Sequence, residues 1–437
     1  MQKHVEYKVI SDKGKPENGP IMRRYNHFIW LHNRFMIERP GAIMPPLPPK
    51  QKGWMRFSEV FIEDRRECLE IYLISAMMNP ELSTSPSLDI FLHCGNIIFN
   101  QLVNTKDETV MAAMMTNFSD QEVVENKSVK LRSGAKRFAA KGLMLKTDLV
   151  TSEDDEIFEE AAKSVPVLLK EIKVLAREAS DLVKRSVNSS QDYSSLGKSF
   201  EKISEVEEGD LSLSCEQMGL AAQEQSALAT KKAQDIKKTF VRPVTMFIGT
   251  VAGINTALAN RKALHDELCF FIQHLQLREK KKDSMDQKLA SAEDAAAAVS
   301  ADAVVEDAAV EAAADMTPEE AEKAAKAAER AAARAEAAKL RSEKSAALLY
   351  QKNEEVQILR DEYDAMSKRL LRELERFNTE KIILMNTIIE GFATLEAKCN
   401  ADMEKNWSSL GTKLASGLEP EKPALEPEKP AAPIQSA

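Results

Sequence analysis

The sequence predicts a multidomain, mostly helical chain: a small α+β unit followed by an all-α bundle of three helices. Three observations predict it. Residues 1–105 hold nine of the 17 prolines and two of the three tryptophans, set among short alternating runs. From about residue 155, apolar side chains recur at three and four residues almost without interruption. Leu349, Val356, Tyr363, Leu370, Phe377 and Leu384 then keep a strict seven-residue spacing, which calls for a left-handed packed seam against other helices. A length of 437 residues suits two or three such units.

In chain order, His4 to Val9 alternates as a half-buried strand does, and Gly14 to Gly19 reads as a turn. Tyr25-Asn26-His27-Phe28-Ile29-Trp30-Leu31 follows, then a proline-dense loop, Pro45-Pro46-Leu47-Pro48-Pro49. From Glu59 to Met78 the apolar spacing turns helical. The first long helical pattern runs through Phe158, Val165, Ile172 and Ala179, and Pro166 predicts a start or a bend inside it. A second runs from Ile236 through Phe247 and Leu258 to Leu275, with Pro243 predicting another bend. Thr317-Pro318-Glu319-Glu320 has the chemistry of a helix start, with Thr as N-cap and Pro at the first position. The third helix is therefore predicted from there to about Leu410. Before it lies an acidic, alanine-rich stretch: residues 293–316 hold seven acids and no Lys or Arg. The closing LEPEKPALEPEKPA is a polar heptapeptide in tandem, predicted to be disordered.

The formal charge of −9 is unevenly placed, near +2 over residues 1–105 and −11 over the rest. That argues against a nucleic-acid partner. Five scattered cysteines with no CxxC pair suit reduced thiols. The polar start lacks a signal-peptide core, and the longest apolar run, Val244–Ala259, falls short of a membrane span. A cytoplasmic protein with peripheral membrane contact is expected. No HExxH, Walker, GxSxG or GxGxxG pattern is present, so neither enzymatic activity nor a metal or cofactor is expected.

What remains is cationic. Arg23-Arg24-Tyr25, Lys50 after the prolines, and Arg65-Arg66 spread bases across the first unit, and guanidinium forks match phosphate oxygens in pairs. The proline run also fits a polyproline II ligand with Lys50 as its basic end.

RRYNHFIWLHNRF, PPLPPK and FIEDRRECLEIYL, in this order, resemble the PX domain of sorting nexins. The resemblance implies that Arg24 holds the 3-phosphate of a phosphoinositide, Tyr25 stacks on the inositol ring, Lys50 meets the 1-phosphate and Arg65 grips the remaining hydroxyls. The implied ligand is phosphatidylinositol 3-phosphate. Trp54 and Met55, with Phe57, then fall where a PX domain meets the bilayer, and Trp suits that interface. Asn26-His27 departs from the family's Ser-Asp or Ser-Glu, and there is little room before His4 for the domain's first strand.

Residues 127–146 carry seven bases and no acid. Drawn as a helix over 131–149, Leu131, Phe138 and Leu145 share one face, flanked by Lys130, Arg137, Lys141 and Lys146, while Arg132 and Lys136 lie opposite. Such a helix suits an anionic bilayer. After a PX domain and a basic helix, three long helical stretches resemble a BAR domain, an antiparallel bundle that dimerises into a membrane-facing arc. In that family a lysine cluster ends the second helix, and Lys280, Lys281 and Lys282 match it. The acidic stretch beyond is expected to point away from the bilayer or be disordered.

The predicted layout is a PX domain over 1–105 with its first strand truncated and a linker with the basic helix over 106–150. A BAR domain over 151–416 follows, with an insert at about 290–316 and a disordered tail over 417–437. The resemblance implies a peripheral protein on endosomes, a homodimer or a heterodimer with another PX-BAR protein, curvature sensing or generation in protein transport, and retromer-type partners. The alternative is a PX-anchored coiled-coil scaffold that recruits partners without remodelling membrane.

Overall fold

The computed structural model describes residues 4–11, 20–50, 57–105, 108–116, 147–308 and 318–417. The Gly14–Gly19 turn, Trp54, Met55, the basic residues Lys136, Arg137 and Lys141 with Phe138, and the tail beyond 417 lie outside them. The chain divides into two compact units: residues 1–167 with 249–377, and residues 168–248 with 378–437.

The first unit opens with an antiparallel pair, β1 (Glu6–Val9) and β2 (Ile21–Arg24), in the register Glu6 to Arg24 and Tyr7 to Arg23. Strand alternation turns Ile21 and Arg23 inward. Six helices follow: α1 (Tyr25–Glu38), α2 (Glu59–Met78), α3 (Pro80–Ser83), α4 (Pro86–His93), α5 (Asn96–Asn104) and α6 (Glu108–Thr116). Pro80 and Pro86 each begin a helix, where a missing N–H costs nothing. Phe28, Phe91 and Phe99 meet edge to face, at 4.9 and 5.7 Å between successive centroids. Leu31, Phe35, Tyr72 and Leu82 close the same core.

Among the described residues that follow, there are four long helices: α7 (Asp155–Ser204), α8 (Gly209–Ile236), α9 (Arg242–Ala308) and α10 (Pro318–Gly417). A π turn, Lys237–Val241, joins α8 to α9. The third predicted helix thus begins at the predicted proline and runs 100 residues, about 150 Å of helix at 1.5 Å per residue.

Within the first unit, α9 and α10 share an apolar cluster of Leu264, Leu268, Val356, Leu359, Tyr363 and Met366. Arg261 of α9 bolts that end together. It donates to Asp155 of α7 at 2.6 Å and to Tyr363 and Ser367 of α10 at 2.6 and 2.9 Å, and it lies 3.8 Å above the Phe158 ring. The α+β part sits on α10 through carboxylates. Glu81 takes Arg369 and Arg372, and the buried Glu373 accepts from Ile43 N and Asn79 Nδ2 at 2.9 and 3.0 Å.

In the second unit α7 and α8 approach closely. A Cβ on Gly197 would stand 3.0 Å from Gly219 O, and Ser190 bonds to Ser226 and Thr230 across the same contact. Asn406 of α10, buried, donates to Ala221 O and Gln225 Oε1 of α8 at 2.9 and 3.1 Å. Phe240 stacks on Phe392 at 4.5 Å.

Several sequence expectations change. Helix α7 starts at Asp155 rather than at Pro166 and runs through it, with Pro166 and Ala162, whose carbonyl the ring frees, both exposed to solvent. At Pro243 the chain makes the π turn: Arg242 N reaches Lys237 O, so the ladder is already reset where proline has no N–H to give. The second helical stretch starts at Gly209, well before Ile236, because α8 buries mainly Cys215, Gly219, Ala221, Ala222, Ala229 and Ala233. Of the acidic stretch, residues 293–308 are helical, as their alanine content favours, and 309–316 lie outside the described residues. The drawn basic helix does not extend through Leu149, which closes a 3-10 turn, Thr147–Leu149. Pro45 and Pro48 are buried, so the proline run does not present a free polyproline ligand.

Candidate functional site

Two adjacent arginines on β2 have opposite surroundings because a strand alternates. Arg23 is fully buried. Its guanidinium donates to Phe91 O at 3.0 Å, Cys94 O at 2.6 Å and Asn96 Oδ1 at 3.1 Å, and it lies 3.9 Å above the Phe99 ring. Burial pushes its pKa down to about 10, so it stays charged at neutral pH. Arg23 closes the carbonyl end of α4 and is not available to a ligand.

Arg24, one residue on, is half-buried at the junction of β2 and α1. Its Nε lies 3.0 Å from His27 Nε2, and its backbone N lies 3.3 Å from His27 Nδ1. A neutral imidazole has one acceptor nitrogen, so the ring holds Arg24 by its side chain or its backbone, not by both at once. His27 is neutral because burial, then the charges of Arg24 and Arg23, push its pKa down to about 4. Where the PX family usually carries an acid, this chain therefore sets a neutral ring beside Arg24.

Tyr25 begins α1. Its hydroxyl donates to Pro48 O, and the Arg65 guanidinium lies 4.4 Å above its ring. Arg65, on α2, also lies 4.4 Å above Phe61 and donates through Nη2 to Pro49 O at 2.9 Å, while its buried Nε has no hydrogen-bond partner. Arg66 differs: it is exposed and bonded to Glu63 and Glu70. Lys50 is exposed at the end of the proline loop. The structure thus brings Tyr25, Arg65 and the Pro48–Lys50 loop together beside Arg24. Among the described residues, Arg24, Lys50 and Arg65 have no carboxylate partner. One face of the Tyr25 ring, expected to stack on a ligand, carries Arg65 instead.

At the other predicted site, Lys280 and Lys281 are exposed near the middle of α9, while Lys282 is paired with Asp286 at 2.7 Å. Sequence reasoning missed His27 as the partner of Arg24, and it missed Glu373, whose only signal is an acid in an apolar seam.

The depressed pKa of His27 makes a prediction. The folded ring resists protonation, whereas the unfolded one titrates near 6.5. Its contribution is present above about pH 6.5 and is lost progressively as pH falls towards 4. Urea unfolding between about pH 7 and about pH 4.5 is expected to show this loss, and His27→Gln to reduce the slope. An unchanged slope in the variant would contradict the assignment.

Residues 13–94 match the PX domain family. Sorting nexin 1 of Arabidopsis thaliana is 25% identical over 286 residues, which cover 64% of this chain and 67% of that protein. Sorting nexin-30 of Danio rerio is 23% identical over 69% of this chain and 65% of its own length. The vacuolar protein sorting-associated protein vps5 of Schizosaccharomyces pombe is 36% identical over 20% of this chain and 16% of its own length. Among solved structures, the cryo-EM structure of the SNX-BAR Mvp1 tetramer superposes with a TM-score of 0.54 at 16% identity, covering 94% of this chain and 95% of that one. No helix among the described residues is long and apolar enough to cross a membrane.

Proposed function

Because the chain is a sorting nexin of the PX-BAR subfamily, we propose that it binds phosphatidylinositol 3-phosphate on endosomal membranes. It dimerises through its helical bundle to sense or generate curvature during protein transport. The observation that carries the lipid reading is the set of bases around Tyr25 that have no carboxylate partner among the described residues: Arg24, Lys50 and Arg65. A phosphorylated inositol supplies what they lack, since charge-assisted bonds to phosphate are among the stronger hydrogen bonds. Arg24 takes the 3-phosphate, Lys50 the 1-phosphate, and Arg65 the ring hydroxyls, with Tyr25 against the inositol.

Trp54, Met55 and the segment with Lys136, Arg137, Phe138 and Lys141 add bilayer contact, and Lys280 and Lys281 meet anionic headgroups. Two PX domains in a dimer add avidity with no new contact. The tetramer formed by the Mvp1 protein supports self-association, and the likeness to the vacuolar protein sorting-associated protein vps5 supports a place in protein sorting. The protein acts as an adaptor and not as an enzyme.

Electron microscopy tests this reading. Vesicles containing phosphatidylinositol 3-phosphate are expected to become coated, regular tubules with the intact protein and to stay round with Arg24→Ala. Vesicles that the intact protein coats but leaves round would overturn the curvature reading in favour of a PX-anchored scaffold.

A further inference from the structure

The loop that carries Lys50 is held from two sides. On one side stand the proposed ligand-binding residues: Tyr25 OH donates to Pro48 O and Arg65 Nη2 to Pro49 O. On the other stand the long helices. A Cβ on Gly249 of α9 would fall 2.1 Å from Pro46 Cβ, and one on Gly253 would fall 3.2 Å from Met44 O. No side chain fits at the first position, and the second leaves only a few tenths of an ångström to gain. Glycine is among the poorest residues for a helix interior, yet α9 places two of them four residues apart, on one face, directly beneath this loop.

The start of the loop is pinned as well. Arg369 Nη1 donates to Pro40 O at 2.6 Å, and Glu373 Oε2 accepts from Ile43 N at 2.9 Å. Gly41, at φ +91°, lies so close to α10 that a Cβ there would fall 2.6 Å from Met366 O. From Pro40 to Met44 the chain is fixed by the bundle, and at Pro48 and Pro49 by Tyr25 and Arg65. Pro46 sits between, resting on Gly249. The bundle and the cationic site therefore share one short, stiff segment of chain.

We infer that Gly249 and Gly253 are positioning residues for the phosphoinositide site, because the bundle seats the proline loop in the geometry that Tyr25 and Arg65 engage. The inference rests on the lipid reading above. Its physical basis is preorganisation: a loop already held in its binding conformation spares the ligand the cost of ordering it. Apparent affinity scales with the fraction of molecules whose loop is competent. A side chain at 249 has to lift Pro46 off α9 and shift the segment that ends in Lys50. If only about a tenth of molecules keep the competent loop, apparent affinity falls about tenfold. The coupling is reciprocal, so occupancy of the site also stabilises the seat on the bundle.

The test is calorimetric titration of the full chain with inositol 1,3-bisphosphate, a soluble headgroup that needs no membrane. Gly249→Val is expected to weaken binding about tenfold or more while helical circular dichroism and sedimentation with phosphoinositide-free anionic vesicles stay at their original levels. Gly253→Ala, with its milder contact, is expected to lose less. Gly391→Ala, where a Cβ meets nothing within 4 Å, controls for altering a helical glycine and is expected to bind like the unaltered chain.

Unaltered affinity in a folded Gly249→Val protein would overturn the inference. Should that variant fail to fold, Gly253→Ala decides, and unaltered affinity there overturns it equally. An unaltered chain that binds no headgroup would sink the site reading itself, a result distinct from binding that ignores residues 249 and 253.

Discussion

Replacing Arg23 by Ala is expected to lower the stability of the first unit by about 3 kcal/mol or more, and replacing Arg24 to leave stability nearly unchanged while removing the proposed lipid recognition. The contrast comes from one residue of strand alternation. Arg23 satisfies two main-chain carbonyls at the end of α4 and an amide oxygen of α5, all beneath the Phe99 ring. Truncation strands those acceptors without water, and a stranded buried polar group costs about 1–3 kcal/mol each. Arg24 is half-buried and bonded to one neutral imidazole, so its loss costs the fold little. Urea unfolding and vesicle sedimentation measured on both variants check the pair of outcomes. Equal destabilisation by the two substitutions would contradict the assignment of roles.

Arg261→Ala is expected to cost about 3 kcal/mol, because it leaves the Tyr363 and Ser367 hydroxyls and the half-buried Asp155 carboxylate without their donor. The side chain ties three helices at one level: Asp155 and Phe158 of α7, and Tyr363 and Ser367 of α10, to its own α9. The same contact fixes a pH dependence. Burial pushes the Asp155 carboxyl up, but bonds from Arg261 and the Ser152 N–H outweigh it and hold the group below its ordinary 3.8. A depressed carboxylate stabilises the fold above its unfolded pKa, and that contribution is lost as pH falls below about 4. Thermal unfolding followed by circular dichroism should show both the loss in Arg261→Ala and a flatter acid limb in Asp155→Asn. Melting of Arg261→Ala at the original temperature would remove the bolt from the account.

Where side chains are large and periodic, the fold was legible before any coordinate. The seven-residue spacing from Leu349 to Leu384 lies within α10, and Thr317-Pro318-Glu319-Glu320 marks its start. Helix α2 spans the predicted Glu59–Met78. Helix α8 was not legible, because glycine and alanine bury little apolar area and leave no stripe for periodicity to find, although Gly219 allows a close approach to α7. The cationic site reads well where its members lie in short motifs, as Arg24-Tyr25 and Arg65-Arg66 do. Their roles divide only in space: Arg23 against Arg24 by strand alternation, and Arg65 against Arg66 by the two glutamates beside the latter. Glu373 stands where the seam has Leu359 and Met366, fourteen and seven residues before it. Its partners, Ile43 and Asn79, lie some 300 residues away in sequence, and no local pattern encodes such a contact.

The most direct test of the central claim is vesicle co-sedimentation across the phosphoinositides, with the intact protein beside Arg24→Ala. Binding selective for phosphatidylinositol 3-phosphate is expected, lost in the variant while its fold is retained. Binding that tracks total negative charge alone and is indifferent to Arg24→Ala would contradict it, and would assign membrane contact to the basic segment and the bundle.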